Sequence, residues 1–149
     1  MTDVLFYQLL RQPLEQVLPG LLERSLERGW RCIVQVGGEE RVRALDDILW
    51  TYSEESFLPH GTDADEPEGQ PILITTHSLN PNGAKARFLV DRAPLPDDLT
   101  AYERIVLMFD GNDDEALQSA RNDWKTVKAA GVSATFWQQN EQGRWEKRA

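Results

Sequence analysis

Arg121, Trp124, Lys125 and Lys128 fall in the segment "EALQSARNDWKTVKAAG" near the C-terminal end of the chain. At about 100° per residue on a helix, the three cations occupy one narrow stripe. Trp124 lies between that stripe and an apolar side made of Ala116, Ala120 and Val127. Cations beside a flat aromatic edge suit a short peptide that carries both carboxylates and a hydrophobic side chain. A solvated Lys/Arg face with Trp124 flanking the core accounts for the same residues.

A second group stands in "ALDDILWTYSEESFLPHG", from Ala44 to Gly61, which sets Trp50, Tyr52, Phe57 and His60 among acids. Trp50 lies roughly 130° from the centre of the helical stripe formed by Val42, Leu45, Ile48 and Leu49, so it is not an ordinary core position. Phe57 follows in a polar stretch. Exposed aromatics close together mark interface anchors. Packing of Trp50 and Phe57 on each other, to pin the loop, is the alternative.

Catalytic and cofactor chemistry finds no comparable pattern. His60 and His77 fall in loops, and no serine, cysteine or carboxylate is tied to either by a recognisable motif. Gly37–Gly38 sits between a strand and a helix but lacks both the GxGxxG spacing and a Gly-Lys-Ser/Thr ending, so a tight turn is expected there. "FDGNDDE" places Asp110, Asp113, Asp114 and Glu115 after a strand, in an order that does not match a calcium loop. Asn112 as N-cap, with acids in the first helical turn, explains them. Cys32, the only cysteine, sits in "CIVQV" and reads as a buried small hydrophobe. The expectation is no catalytic residue, no metal and no cofactor.

The elements that must hold these residues alternate in type. "DVLFYQL" reads as a buried strand, followed by a helix in which Leu14, Val17, Leu18, Leu21, Leu22 and Leu26 keep helical spacing across Pro19, predicting a kink rather than a stop. Residues 31–36 are a second strand, and Val42 to Leu49 a second helix. Residues 51–70 read as a surface loop. Strands follow at 71–76, 86–90 and 104–109, then a helix over about 113–130 closed by Gly131, and a last strand "SATFWQQ". "NEQG" turns into the tail "RWEKRA". This order predicts an α/β chain with right-handed crossovers and a largely parallel sheet covered on both faces.

Length and charge narrow the function classes. A chain of 149 residues is the size of one domain and long enough to fold without disulfides or metal. The net charge of −9 argues against direct nucleic-acid binding, which needs a large basic footprint. The charge is uneven: residues 37–70 hold ten acids and two bases, whereas residues 119–149 hold six bases and three acids. An acidic protein with a locally basic end can attract a small anionic ligand. The start "MTDVLFYQLL" offers neither a signal peptide nor a membrane span. With a single cysteine, a reducing cytoplasmic setting is expected.

The segments "LDDILWTYSEESFLPHG", "ARNDWKTVKAAG" and "FWQQNEQGRWEKRA" resemble the chi-subunit family of bacterial DNA polymerase III holoenzyme, and the likeness runs over essentially the whole chain. The resemblance implies a single domain over residues 1–149, a three-layer α/β/α sandwich that is Rossmann-like without a nucleotide-binding motif. It implies a non-catalytic subunit linking the clamp-loader complex to single-stranded-DNA-binding protein, whose acidic tail ends in a phenylalanine carboxylate. Arg121, Trp124 and Lys125 match the family's tail-binding helix, and Lys128 extends it. Phe57 matches an aromatic used against the psi subunit or an alternative helicase partner, with Trp50 as its neighbour. Two other classes stay open from the residues: a nucleotide-dependent α/β enzyme centred on Gly37–Gly38 or Asp110, and a module that pairs with its own copy through Trp50 and Phe57.

Overall fold

Alternating apolar positions make β1 (Asp3–Leu9) a strand with two working faces. In the computed structural model of the chain, which describes residues 2–51 and 58–149, it lies near the middle of one sheet. The other strands are β2 (Cys32–Gln35), β3 (Gly61–Thr62), β4 (Ile72–Thr75), β5 (Ala86–Leu89), β6 (Arg104–Asp110), β7 (Ser133–Gln139) and β8 (Trp145–Lys147). Their order among the described residues is β3-β4-β2-β5-β6-β1-β7-β8. All pairings are parallel except β7 with β8. The expected α/β class and largely parallel sheet are what the structure has.

Among the described residues, three α-helices cover the sheet. α1 (Leu14–Glu27) runs through Pro19 without stopping and buries Val17, Leu18 and Leu22. α2 (Glu39–Thr51) buries Val42, Leu45 and Leu49. Both pack on the same face, against Cys32, Val34, Ile72, Ile74 and Phe88. α3 (Asp114–Ala129) packs on the other face, against Val4, Phe6, Ile105, Leu107 and Phe109. Each fully buried Leu, Ile or Phe contributes roughly 1.5–3 kcal/mol of transfer free energy. Among the described residues no helix is long and apolar enough to cross a membrane.

Neither face is helical from edge to edge. α3 packs mainly on β6 and β7, and among the described residues the β4–β5 connection carries no helix to cover the β4–β2–β5 half of that face. That half is closed by residues 76–85, with Ala84 packed on Ile33 and Leu73, and by the buried side chain of Arg87. On the opposite face α1 and α2 cover the β2–β4–β5 half. Toward β1, β7 and β8 on the same face, Leu5, Tyr7, Thr135, Trp137 and Trp145 remain only partly buried.

Two short strands were not anticipated. β3 lies inside the stretch read as loop over residues 51–70, and the tail "RWEKRA" supplies β8. Strand ends otherwise agree to within one residue. The α3 N-cap is Asp113, whose carboxylate accepts from the Glu115 and Ala116 amides, rather than Asn112. Asn112 lies a residue too early: its amide donates instead to Asp110 Oδ1, in the turn that precedes the helix.

Candidate functional site

α3 is held close to the sheet by small residues. Ala116 and Ala120 are buried one turn apart, and Val127 continues the same side. Between them and solvent, the Trp124 indole is half buried. It meets the Phe6 ring edge-on at 5.3 Å and the Phe136 ring at 6.1 Å. Two aromatic rings, from β1 and β7, therefore fix the α3 indole with part of its surface outward. Edge-to-face pairs of this kind contribute about 0.5–1.5 kcal/mol beyond area burial.

Arg121, Lys125 and Lys128 are exposed on the adjoining stripe. None of the three forms an ion pair with another described residue. Lys128 places its Nζ 5.6 Å from the Trp124 ring centroid, in the position of a cation–π contact. Lys128 also stands in the last turn of α3, where the helix dipole favours a cation. Past the helix, Gly131 takes φ 74° and turns the chain into β7. A recess of about 530 Å³ opens at this point, lined by Thr2, Thr100, Lys128, Gly131, Val132 and Ser133. The structure thus brings the four residues of the stripe together, with the indole neither sealed nor free-standing.

Trp50, in the last turn of α2, is 54 % exposed, in keeping with its azimuth away from the core. Its ring lies 4.6 Å from that of His60. His60 is itself buried, with Nδ1 2.6 Å from Leu58 O and Nε2 3.1 Å from Asp46 Oδ1, which makes it a packing residue tying the chain to α2. Phe57, expected beside Trp50, lies outside the described residues.

The other chemical candidates resolve differently. A recess of about 440 Å³ opens beyond the carboxyl ends of β1 and β6, where open α/β sheets commonly bind ligands. Its lining mixes Arg11, Arg41 and Arg92 with Glu15, Asp91, Asp110 and Asp113. Arg41 lies 3.8 Å from Glu15, and Arg92 donates to Glu115 at 3.1 Å. Two of its three cations are therefore already paired. Gly37 has a packing reason: a Cβ there would come within 2.8 Å of Asp91 Oδ2. Burial pushes the Cys32 thiol up to about 12, which keeps it protonated and inert near neutral pH. Among the described residues no three His, Cys, Asp or Glu side chains form a metal-sized cluster.

Sequence reasoning missed what holds the loop that enters α1. The Gln139 side-chain carbonyl accepts from the amides of Leu10, Arg11 and Gln12 at 3.1–3.3 Å. A glutamine at a strand end carries no signature from which this could be read.

Comparison with known proteins decides the family. The family model described as "DNA polymerase III chi subunit, HolC" matches residues 1–135. The chain belongs to the DNA polymerase III chi subunit family. A probable DNA polymerase III subunit chi of Rickettsia prowazekii (strain Madrid E) is 27 % identical over 97 residues, 60 % of this chain and 59 % of that protein. The DNA polymerase III subunit chi of Escherichia coli (strain K12) is 26 % identical over 120 residues, 80 % of this chain and 81 % of that protein. The match to the Rickettsia relative thus spans less than two thirds of that relative's length.

Proposed function

We propose that this chi-family chain is a non-catalytic, single-domain cytoplasmic adaptor that binds the acidic C-terminal tail of single-stranded-DNA-binding protein and links it to the clamp-loader complex. The observation that carries the reading is the stripe of Arg121, Lys125 and Lys128, free of ion pairs among the described residues, beside a partly exposed Trp124. The tail's carboxylates face the three cations, and its terminal ring rests on the apolar surface at Trp124 and the recess beyond Lys128. Charge-assisted hydrogen bonds contribute about 1.5–3 kcal/mol each when well formed and less at an exposed site. One tail therefore binds modestly, and the several tails of an oligomeric partner raise the local concentration.

Trp50 and Phe57 form a second docking surface in this reading, for the psi subunit or an alternative helicase or clamp-loader partner. It rests on the exposure of Trp50 at the end of α2.

Lys125→Glu and Arg121→Glu each put a carboxylate where the tail needs a cation. Either should weaken binding of a fluorescently labelled tail peptide at least tenfold in anisotropy titrations, while the thermal midpoint stays within a few degrees. Unchanged affinity in both variants would refute the assignment of the tail to α3.

A further inference from the structure

Outside the site on α3, the strongest unexplained concentration of charge lies on the other face of the sheet. A recess of about 130 Å³ between α1 and the strands is lined by Arg24, Arg28 and Arg104 over a floor that includes Leu5, Leu21 and Val106. No acid lines it. None of the three guanidiniums makes an ion pair or a side-chain hydrogen bond with another described residue. Arg104 Nε is sealed from solvent without an acceptor. In a chain of net charge −9, three unpaired guanidiniums around one recess are a local reversal of sign.

The recess is also built. The Trp30 ring lies under two of the guanidiniums, with Arg28 Cζ 5.2 Å and Arg104 Cζ 5.5 Å from its centroid. An indole shared in this way holds two like charges side by side, at a cost that an anion between them would offset. Tyr7 lines the same recess. Burial raises its phenol above the ordinary value, with the nearby charges of Arg104 and Arg24 acting the other way.

The ligand cannot lie wholly inside. At about 130 Å³ the recess takes an anionic head group and is well below the roughly 300 Å³ at which pockets begin to enclose a drug-sized molecule. What adjoins it is aromatic. Tyr7 stacks beside Trp137 at 6.3 Å with 23° between the planes, and Trp145 meets Tyr7 edge-on at 4.8 Å. All three rings are partly exposed, and Tyr7 borders α1 across the recess. An acidic peptide anchored by a ring calls for a concave pocket, as interface anchors do. Strand-borne rings beside guanidiniums are instead the arrangement that stacks bases and holds phosphates of a single strand.

We propose that Arg24, Arg28 and Arg104 receive a backbone phosphate of single-stranded nucleic acid, whose neighbouring bases stack on Tyr7, Trp137 and Trp145. The contact is local and sequence-tolerant, and it goes beyond the tail-binding reading because it uses the opposite face of the sheet. The expectation from net charge, that nucleic acid is repelled, then holds for the molecule as a whole but not for this face.

The test is anisotropy of a labelled oligothymidylate of about 15 nucleotides, the upper range of a single-domain footprint, titrated with the full chain at low salt. Wild type should bind, with log K falling against log salt at a slope of about −0.7 for the one phosphate neutralised. Arg24→Glu with Arg28→Glu should weaken binding at least tenfold, and Trp137→Ala about fivefold or more. Binding of the acidic tail peptide, measured on the same variants, should not change, which separates loss of this site from loss of the fold. Lack of binding by wild type, or equal binding by the charge-reversed variant, overturns the proposal. So does displacement of the oligonucleotide by inorganic phosphate at equal concentration, which marks a free-anion site. Preference of this recess for an oligoglutamate peptide over the oligonucleotide overturns it as well.

Discussion

Arg87 shows how one side chain substitutes for a missing helix. It is fully buried in the middle of β5, and no carboxylate is among its partners. A guanidinium has five N–H donors, and here five acceptor contacts meet them. Nε and Nη2 donate to Gln35 Oε1 at 3.1 and 2.6 Å, and Nη2 donates to His77 O at 2.6 Å. Nη1 donates to Leu79 O at 3.1 Å and to the Tyr102 hydroxyl at 3.0 Å. Burial draws its pKa below the usual arginine value, partly countered by Tyr102. The bonds to His77 and Leu79 draw residues 76–85 over the sheet where a crossover helix would have lain. Arg87→Met keeps much of the volume and leaves those carbonyls and Gln35 without donors. At about 1–3 kcal/mol for each buried group left unsatisfied, the variant should lose about 3 kcal/mol or more in urea denaturation. A loss below about 1 kcal/mol, the size of an ordinary substitution, would show that the loop does not depend on this residue.

At the scale of elements, what could be read from the sequence was what repeats with a period. Ala116, Ala120 and Val127 keep helical spacing and are buried; Trp50 breaks the stripe of its helix and is exposed. Apolar strand runs stand out because a parallel sheet covered on both sides leaves little room for polar alternation. Features set by a distant partner were not legible. "ARFLV" shows a cation in an apolar run, but nothing local says that a loop eight residues back will supply its acceptors. The tail "RWEKRA" looks like an exposed end because charges outnumber its single ring. Yet "NEQG" is a turn: Asn140 O accepts from the Gly143 amide, Gly143 takes φ 77°, and Trp145 then lands on Tyr7. Turn residues before an aromatic were the signal available for this hairpin. For the candidate site, residue types and spacing gave the stripe on α3, while the anchoring of Trp124 by Phe6 and Phe136 depended on which strands become neighbours. Trp145→Ala removes the ring that pins β8. It should cost about 1–2 kcal/mol, less than full burial of a large side chain is worth. Hydrogen exchange should speed up at the Arg148 amide, which donates to Phe136 O, while β1 amides keep their protection. Equal acceleration in β1 would mean that the hairpin is not a separable edge.

At the scale of the whole molecule, α3 and the arginine recess lie on opposite faces of one sheet, so the two proposed contacts do not compete for space. They can act on one target when the partner's disordered tail reaches one face and its bound strand continues past the other. The second contact is then intramolecular, with an effective concentration of roughly 1 mM for a short flexible tether. Weighed against a weak strand affinity of about 10⁻⁴ M, typical of sequence-independent binding, that tightens the whole by up to about tenfold. If both proposed contacts form, the chain should bind single-stranded-DNA-binding protein on an oligonucleotide with an uncovered overhang more tightly than the same protein on a fully covered one. Arg28→Glu should erase the difference and leave the affinity for the covered complex intact, because the tail contact is untouched. Lys125→Glu should remove binding to the covered complex and leave only the weak strand contact on the overhang. Surface plasmon resonance with the two complexes immobilised side by side makes the comparison directly. Equal affinities for wild type would mean that the two faces do not work together, whatever each binds alone.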